Sequence, residues 1–180
     1  MNVVVYCSAN QNLPEEITSI ATTLGKWIGE GGHSLVYGGV MAGLMHVTAQ
    51  AAHDAGCQNI IGIVPEFFSH RADSLCSELI LATNLNDRKS KLIEYGDVFV
   101  VLPGGLGTID EWISTLSHLV VEGSNRPIIV VNYDGMYAPL AEQLALTAES
   151  QFSRSPLIAS SILVNNSQEL INKLNEINKL

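Results

Sequence analysis

Short apolar runs alternate with segments of helical spacing along the whole chain, and this alternation constrains the fold most. Several runs are continuous stretches of Val and Ile, which is typical of strands buried on both faces of a parallel sheet. The predicted strands are residues 3–7, 34–37, 59–64, 78–82, 98–102, 128–132 and 161–163. The predicted helices are residues 14–29, 44–55, 87–95, 109–121, 137–149 and 168–178.

This order of elements predicts an α/β fold with one domain over residues 1–180. The length suits a single core, and parallel strands joined by helices require right-handed crossovers. We therefore expect a Rossmann-like doubly wound parallel sheet with helices on both faces. In such folds ligands bind at the carboxyl edge of the sheet, so the loops that follow the strands are where we expect the functional site.

The composition argues against several classes of partner. The formal net charge is -9 and no run of Lys or Arg occurs, so neither nucleic acid nor an acidic membrane surface is an expected partner. No apolar stretch approaches the roughly 18 residues of a membrane span. Only 15% of residues are charged, which favours a surface partly covered by a second copy of the chain, as in a homodimer or a larger homo-oligomer.

The cysteines and histidines give no sign of a disulfide or metal site. Cys7, Cys57 and Cys76 are odd in number and far apart, without a paired Cys-x-x-Cys spacing. The chain also starts directly with a predicted strand rather than with a secretion signal. We therefore expect a cytoplasmic protein with reduced thiols. Because the histidines lack ligand spacing, we expect no metal site. We expect no other cofactor either.

A glycine-rich segment between the predicted strand 98–102 and the next helix is the strongest functional signal. It contains Gly104, Gly105 and Gly107, followed by Thr108. Such a corner can bind a phosphate through free backbone N–H groups and the positive end of a helix. The alternative is a tight turn that needs glycine. The segment lacks the Gly-Lys-Ser/Thr of a Walker loop, and Asp110 replaces the third glycine of a dinucleotide-binding loop.

Glu111 permits two interpretations. With Thr108 it matches a capping box, in which a glutamate three residues into the helix bonds back to the N-cap. That spacing alone favours a structural cap. Its position beside a predicted phosphate loop favours a catalytic carboxylate instead.

Two further segments lie at the same predicted edge. Arg88 and Lys89 stand near a helix start, where cations oppose the helix dipole; a ligand phosphate or Glu111 would explain them, and so would simple solvation. Residues 38–43 contain Gly38, Gly39 and Gly43, which would either wrap a ribose or phosphate or allow close packing of strand and helix.

Three motifs resemble the LONELY GUY (LOG) family, whose members are often labelled lysine decarboxylases. Residues 103–111 carry the complete hallmark Pro-Gly-Gly-x-Gly-Thr-x-x-Glu. Asp87-Arg88-Lys89 is similar to the family's Glu-Arg-Lys, and residues 38–46 are similar to its Gly-Gly-Gly-x-x-Gly-Leu-Met-Gly. The resemblance covers nearly the whole chain. The family's Met-His is Leu85-Asn86 here, and Val40 and His46 replace glycines, which leaves the preferred base open.

The resemblance implies hydrolysis of the N-glycosidic bond of a purine nucleoside 5′-monophosphate, such as AMP or an N6-substituted AMP. Glu111 and Arg88 would be catalytic, with Glu111 stabilising the ribosyl cation or activating water. The phosphate would lie on Gly104, Gly105, Gly107 and Thr108, and Ser8, Gly39, Leu85 and Lys89 would bind the rest of the substrate. It also implies at least a dimer, with helices near both motifs at the interface.

Two other functions are also considered, a non-catalytic carrier and a decarboxylase. Related proteins of this fold carry the molybdenum cofactor, so the chain could bind a phosphorylated pterin or a nucleotide without cleaving it. A decarboxylase that uses pyridoxal phosphate is not expected, because no lysine stands in a glycine-rich loop.

Overall fold

The computed structural model describes residues 1–151 and 161–179, which form one seven-stranded sheet with helices on both faces. The strands are β1 Asn2–Tyr6, β2 Ser34–Tyr37, β3 Ile60–Pro65, β4 Glu78–Ala82, β5 Val98–Val101, β6 Ile128–Val131 and β7 Ser161–Val164. The α-helices are α1 Glu15–Glu30, α2 Gly43–Asp54, α3 Leu85–Tyr95, α4 Leu106–Glu122, α5 Ala138–Glu149 and α6 Ser167–Ile177. Two 3₁₀ helices lie at Glu66–Arg71 and Tyr133–Gly135.

The strand order places a crevice between two strands that are far apart in sequence. The order is β4-β3-β2-β1-β5-β6-β7, and all neighbouring strands are parallel. The chain proceeds in one direction from β1 to β4 and in the other from β5 to β7, so the switch point lies between β1 and β5. The loops after these strands meet there, with Ser8 N donating to Pro103 O over 3.2 Å. Ligands of doubly wound sheets bind at this point.

Both faces of the central strands are buried, which explains their continuous apolar sequences. Val3 and Val5 of β1 pack into the cluster formed with α1, α2 and α6. Val4 and Tyr6 point to the other face, into the cluster formed with α3, α4 and α5. The doubly wound fold predicted from the sequence is confirmed, and each predicted strand end lies within one residue of the observed one.

Two helices begin more than one residue earlier than predicted, and one of these shifts overturns the capping-box interpretation. Helix α4 begins at Leu106 with Gly105 as its N-cap and no side-chain capping bond. Thr108 therefore lies inside the first turn, and Glu111 is too far along the helix to close a capping box. Helix α3 begins at Leu85 because the Asn84 side chain accepts from the N–H groups of residues 86 and 87.

Neither a membrane helix nor a cluster of metal ligands occurs in residues 1–151 and 161–179. No helix there is both long enough and apolar enough to cross a bilayer. No group of three or more His, Cys, Asp or Glu side chains there could hold a metal ion.

Candidate active site

A cavity of about 510 Å³ opens at the carboxyl edge of the sheet, between the loops after β1, β2, β3 and β5 and the first turns of α3 and α4. Seven of the ten predicted site residues line it: Ser8, Leu85, Arg88, Gly105, Gly107, Thr108 and Glu111. The structure thus brings together residues from three separate segments of the sequence. Gly39, Gly104 and Lys89 lie outside the cavity wall.

The start of α4 presents unoccupied backbone N–H groups to the cavity. Ile109 makes the first bond of the helix, to Gly105 O over 3.1 Å, so the N–H groups of residues 106–108 precede the helical ladder. A Cβ at Gly105 or Gly107 would meet no atom within 4 Å, and neither residue has a positive φ. Packing and backbone conformation therefore do not require glycine there; its absent side chain leaves the amides open to an anion.

Gly104 is required by the packing of this loop against Thr108 and Ser8. A Cβ at Gly104 would overlap the Thr108 hydroxyl and would lie 3.0 Å from Ser8 N. The buried Tyr137 hydroxyl donates to Leu102 O over 3.1 Å and approaches Gly104 O at 3.3 Å. Gly104 thus fixes the conformation of the loop, and its direct contact with a phosphate stays a prediction.

Arg88 and Glu111 form an ion pair on the cavity wall. Arg88 Nη1 donates to Glu111 Oε1 over 2.6 Å, and the side chains are only 17% and 11% exposed. Arg88 Nε donates to Ile63 O at the end of β3 over 3.1 Å, which fixes the guanidinium. A Cβ at Gly38 would overlap Arg88 Nη2, so Gly38 leaves the space that this guanidinium occupies.

Arg88 and Lys89 of α3 neutralise Glu111 and Asp110 of α4. Burial raises the pKa of Glu111, while the charge and hydrogen bond of Arg88 oppose this rise. Lys89 Nζ lies 3.0 and 2.9 Å from the two carboxylate oxygens of Asp110. An anion can therefore bind beside α4 without facing two uncompensated carboxylates. Substrate binding by Lys89 itself stays a prediction.

Gly39 has a structural explanation. Its φ is +64°, and a Cβ would lie 2.6 Å from Val64 Cγ2 and 2.8 Å from Gly62 Cα. The left-handed backbone and the close approach to β3 both require glycine. Close packing thus accounts for Gly39, and a role in substrate binding stays a prediction.

Part of the cavity wall is formed by residues that were not predicted from the sequence. Phe68 and Arg71, from the 3₁₀ helix after β3, line it together with Met45 and Val40. The Arg71 guanidinium carbon lies 5.8 Å from the centroid of the Phe68 ring. The available signal was a basic residue in the loop after the strand predicted over residues 59–64, and this alone does not indicate a cavity.

Cys7 also lines the cavity but does not have the properties of a nucleophile. Burial raises the pKa of its thiol, and the nearby Glu111 carboxylate adds to the rise. A thiol without nearby net positive charge stays protonated and unreactive.

Comparisons with known proteins identify the family. Residues 45–174 match the sequence model of a family described as possible lysine decarboxylases. A cytokinin riboside 5′-monophosphate phosphoribohydrolase of Rhodococcoides fascians is 33% identical over 168 residues, covering 91% of this chain and 83% of that protein. The chain belongs to this family, the LOG family.

Other members of the LOG family align over almost the whole chain. The phosphoribohydrolase LOG3 of Arabidopsis thaliana is 30% identical and the LOG protein of Oryza sativa is 28% identical. Each alignment covers 97% of this chain, with 81% of LOG3 and 72% of the rice protein.

Solved structures show the same fold. The molybdenum cofactor binding protein of Rippkaea orientalis superposes with a TM-score of 0.75 at 22% identity, covering 98% of this chain and 96% of that protein. The molybdenum cofactor carrier protein of Chlamydomonas reinhardtii superposes with a TM-score of 0.77 at 18% identity, covering 99% and 98%. At these identities the likeness establishes the architecture alone.

Proposed function

We propose that this chain hydrolyses the N-glycosidic bond of purine nucleoside 5′-monophosphates, of the AMP or N6-substituted AMP type, to give the free base and ribose 5-phosphate. The observation that carries this proposal is the buried Arg88–Glu111 pair, which shares one cavity with the open amides of α4. The names of the family members agree, because the relatives from three organisms are called cytokinin riboside 5′-monophosphate phosphoribohydrolases.

The phosphate would bind at the first turn of α4. The N–H groups of residues 106–108 and the Thr108 hydroxyl are donors for its oxygens, and the helix dipole favours its charge. Binding the phosphate away from the reacting bond holds the ribose in place and uses that binding energy for catalysis. Ser8, on the wall beside this loop, is within the same pocket.

Glu111 would act on the anomeric carbon. Cleavage of a ribosyl bond passes through a transition state with positive charge on the sugar, which a buried carboxylate stabilises. The same carboxylate can accept a proton from the attacking water. Arg88 favours the ionised form of this carboxylate. It would also hold the carboxylate in place, because its own guanidinium is held by Ile63 O and fits against Gly38.

The carrier and decarboxylase hypotheses have less support. The hypothesis of a carrier of a phosphorylated pterin is based on the similar structures of two molybdenum cofactor proteins. Because these proteins are less than 25% identical to this chain, the similarity supports the fold only. A decarboxylase would need a lysine to form a Schiff base with its cofactor. None of the described residues that line the cavity is a lysine.

The direct test is a product assay. Purified protein is incubated with AMP and with isopentenyl-AMP, and free base and ribose 5-phosphate are separated and quantified. We expect equal amounts of both products from wild type and far smaller amounts from Glu111→Gln. Glu142→Gln, a matched change of an exposed residue on α5, should retain activity. Tight binding without products would favour the carrier.

We further propose a homodimer, or a larger homo-oligomer, in the cytoplasm. Leu106 and Val121, at opposite ends of α4, are 83% and 85% exposed, and packing against a second copy would remove both apolar side chains from water. The free thiols of Cys7, Cys57 and Cys76 suit a reducing compartment. Sedimentation velocity tests the assembly: wild type should sediment as at least a dimer and Val121→Glu should shift toward monomer.

A further inference from the structure

We infer that Arg71 is a catalytic residue that contacts the purine and stabilises the negative charge that the departing base acquires. This inference rests on the proposed function, because it assigns a role within the same reaction. Arg71 lines the same cavity as the open amides of α4, on the 3₁₀ helix that follows β3, which lies three strands away from β5 in the sheet.

The order of groups along the cavity places the base beside Arg71. The amides of α4 follow β5, and Arg88 is anchored to Ile63 O at the end of β3. Phe68 and Arg71 lie on the 3₁₀ helix that follows β3. Neighbouring strands are about 4.8 Å apart, so three strand spacings separate the ends of β5 and β3 by roughly 14 Å. Phosphate, ribose and base would thus lie in this order along the cavity.

Arg71 supplies the uncompensated positive charge of the described wall. The charged residues there are Arg71, Arg88 and Glu111, and the last two neutralise each other. Arg71 makes no ion pair with any residue in 1–151 or 161–179; its guanidinium instead lies over the Phe68 ring. The guanidinium N–H groups are therefore available to acceptors on a ligand, while the ring offers a surface on which a purine can stack.

The reaction needs a positive charge at this place. When the C1′–N9 bond breaks, its electron pair goes to the purine, and the water oxygen forms the new bond to C1′. One proton of that water stays on the new hydroxyl group, and the other goes to Glu111 and finally, through solvent, to the purine. Arg71 gives up no proton, because arginine stays protonated in proteins; it donates a charge-assisted hydrogen bond to an acceptor nitrogen of the base, such as N7 or N3.

Two substrates with different leaving groups test this role. AMP needs stabilisation of its leaving group, whereas p-nitrophenyl ribofuranoside 5-phosphate releases a phenolate that is already stable. We expect Arg71→Ala to lower kcat/KM for AMP by at least about tenfold and to change the p-nitrophenyl substrate far less. Arg71→Lys should restore part of the AMP activity. Lys26→Ala, which removes a positive charge on α1 outside the cavity, should change neither.

Inhibition by ribose 5-phosphate separates this role from phosphate binding. That product fills the phosphate and ribose positions but has no base, so Arg71→Ala should leave its inhibition constant unchanged. Weaker inhibition, or an equal loss of activity with both substrates, would overturn the assignment. If wild type cleaves AMP and Arg71→Ala cleaves it equally well, the inference alone fails; if wild type cleaves neither substrate, the proposed function fails with it.

Discussion

Arg88 Nη1 lies 2.6 Å from Glu111 Oε1, and this contact joins α3 to α4 at the cavity. The two residues are 23 positions apart in the sequence and meet because both helices pack on the same face of the sheet. One residue is anchored by β3 and the other by a helix that starts with an open anion site. In the proposed reaction, Arg88 would therefore control both the position and the charge of the Glu111 carboxylate beside the bound nucleotide.

Glu111→Gln should lower kcat by about 10²- to 10⁴-fold and change KM much less. The amide has the shape of the carboxylate and can still accept from Arg88, but it neither carries a charge nor accepts a proton. The phosphate site is separate from it, so binding should persist. Steady-state kinetics with AMP measure both constants, and a thermal melt checks the fold. Activity close to wild type would rule out a catalytic Glu111.

Arg88→Ala should raise the pKa of Glu111 further. Burial already raises this pKa, and Arg88 is the main group that opposes the rise. Without Arg88 the carboxyl group should stay protonated to a higher pH, so any activity that needs the ionised form should also begin at a higher pH. Carbon-13 NMR titration of labelled glutamate measures the pKa without turnover. An unchanged or lower pKa in Arg88→Ala would contradict the electrostatic account of the pair.

Gly107→Ala should leave the fold intact but weaken phosphate binding. A Cβ there meets no atom of the protein, and alanine in a helix is favoured over glycine by up to about 1 kcal/mol. The added methyl group would occupy the space above the amides. We expect an equal or higher Tm together with a higher inhibition constant for ribose 5-phosphate. A variant that binds this product as wild type does would contradict anion binding at α4.

Gly104→Ala is the contrasting change in the same loop. Its Cβ would overlap the Thr108 hydroxyl, so we expect a lower Tm as well as weaker binding. A thermal melt distinguishes the two glycines, and a Tm equal to that of wild type would contradict the supporting role of Gly104.

Cys7→Ala should change kcat/KM for AMP by no more than about threefold, because a protonated thiol is a poor nucleophile. Cys7 faces the cavity, but burial raises the pKa of its thiol. Kinetics of the variant measure this directly. A loss of several orders of magnitude would indicate a covalent intermediate on Cys7.

Local sequence carries most of the fold and the anion site. The Val and Ile runs of β1, β5 and β6 are buried on both faces, and this burial is what makes them continuous and recognisable. The glycines at the start of α4 were recognisable for a different reason, since Gly105 and Gly107 have no packing role and lie open to the cavity.

The capping box failed for a physical reason. Gly105 takes the N-cap position and lets the helix begin at Leu106, so Thr108 is carried into the first turn, where it is buried. Spacing alone could not show this, because Thr108 and Glu111 fit a cap equally well until the position of the helix start is known. Glu111 therefore lies about one turn further along the helix than a capping residue would, and it pairs with Arg88 there.

Arg71 could not be predicted because its place depends on distant segments. The 3₁₀ helix that holds it has only six residues, too few for a periodic pattern. Its end is fixed by pairing of Val40 with Ala72 and by the bond from Met41 N to Arg71 O over 3.1 Å. These contacts join segments about 30 residues apart, which local spacing does not reveal.

A crystal structure of Glu111→Gln with AMP bound is the most direct test of the account. We predict phosphate oxygens at about 2.9 Å from the N–H groups of residues 106–108, with C1′ facing Arg88 and Gln at position 111. A phosphate bound at Arg71 instead, or AMP bound outside this cavity, would contradict the central claim that the start of α4 and the Arg88–Glu111 pair act on one nucleotide.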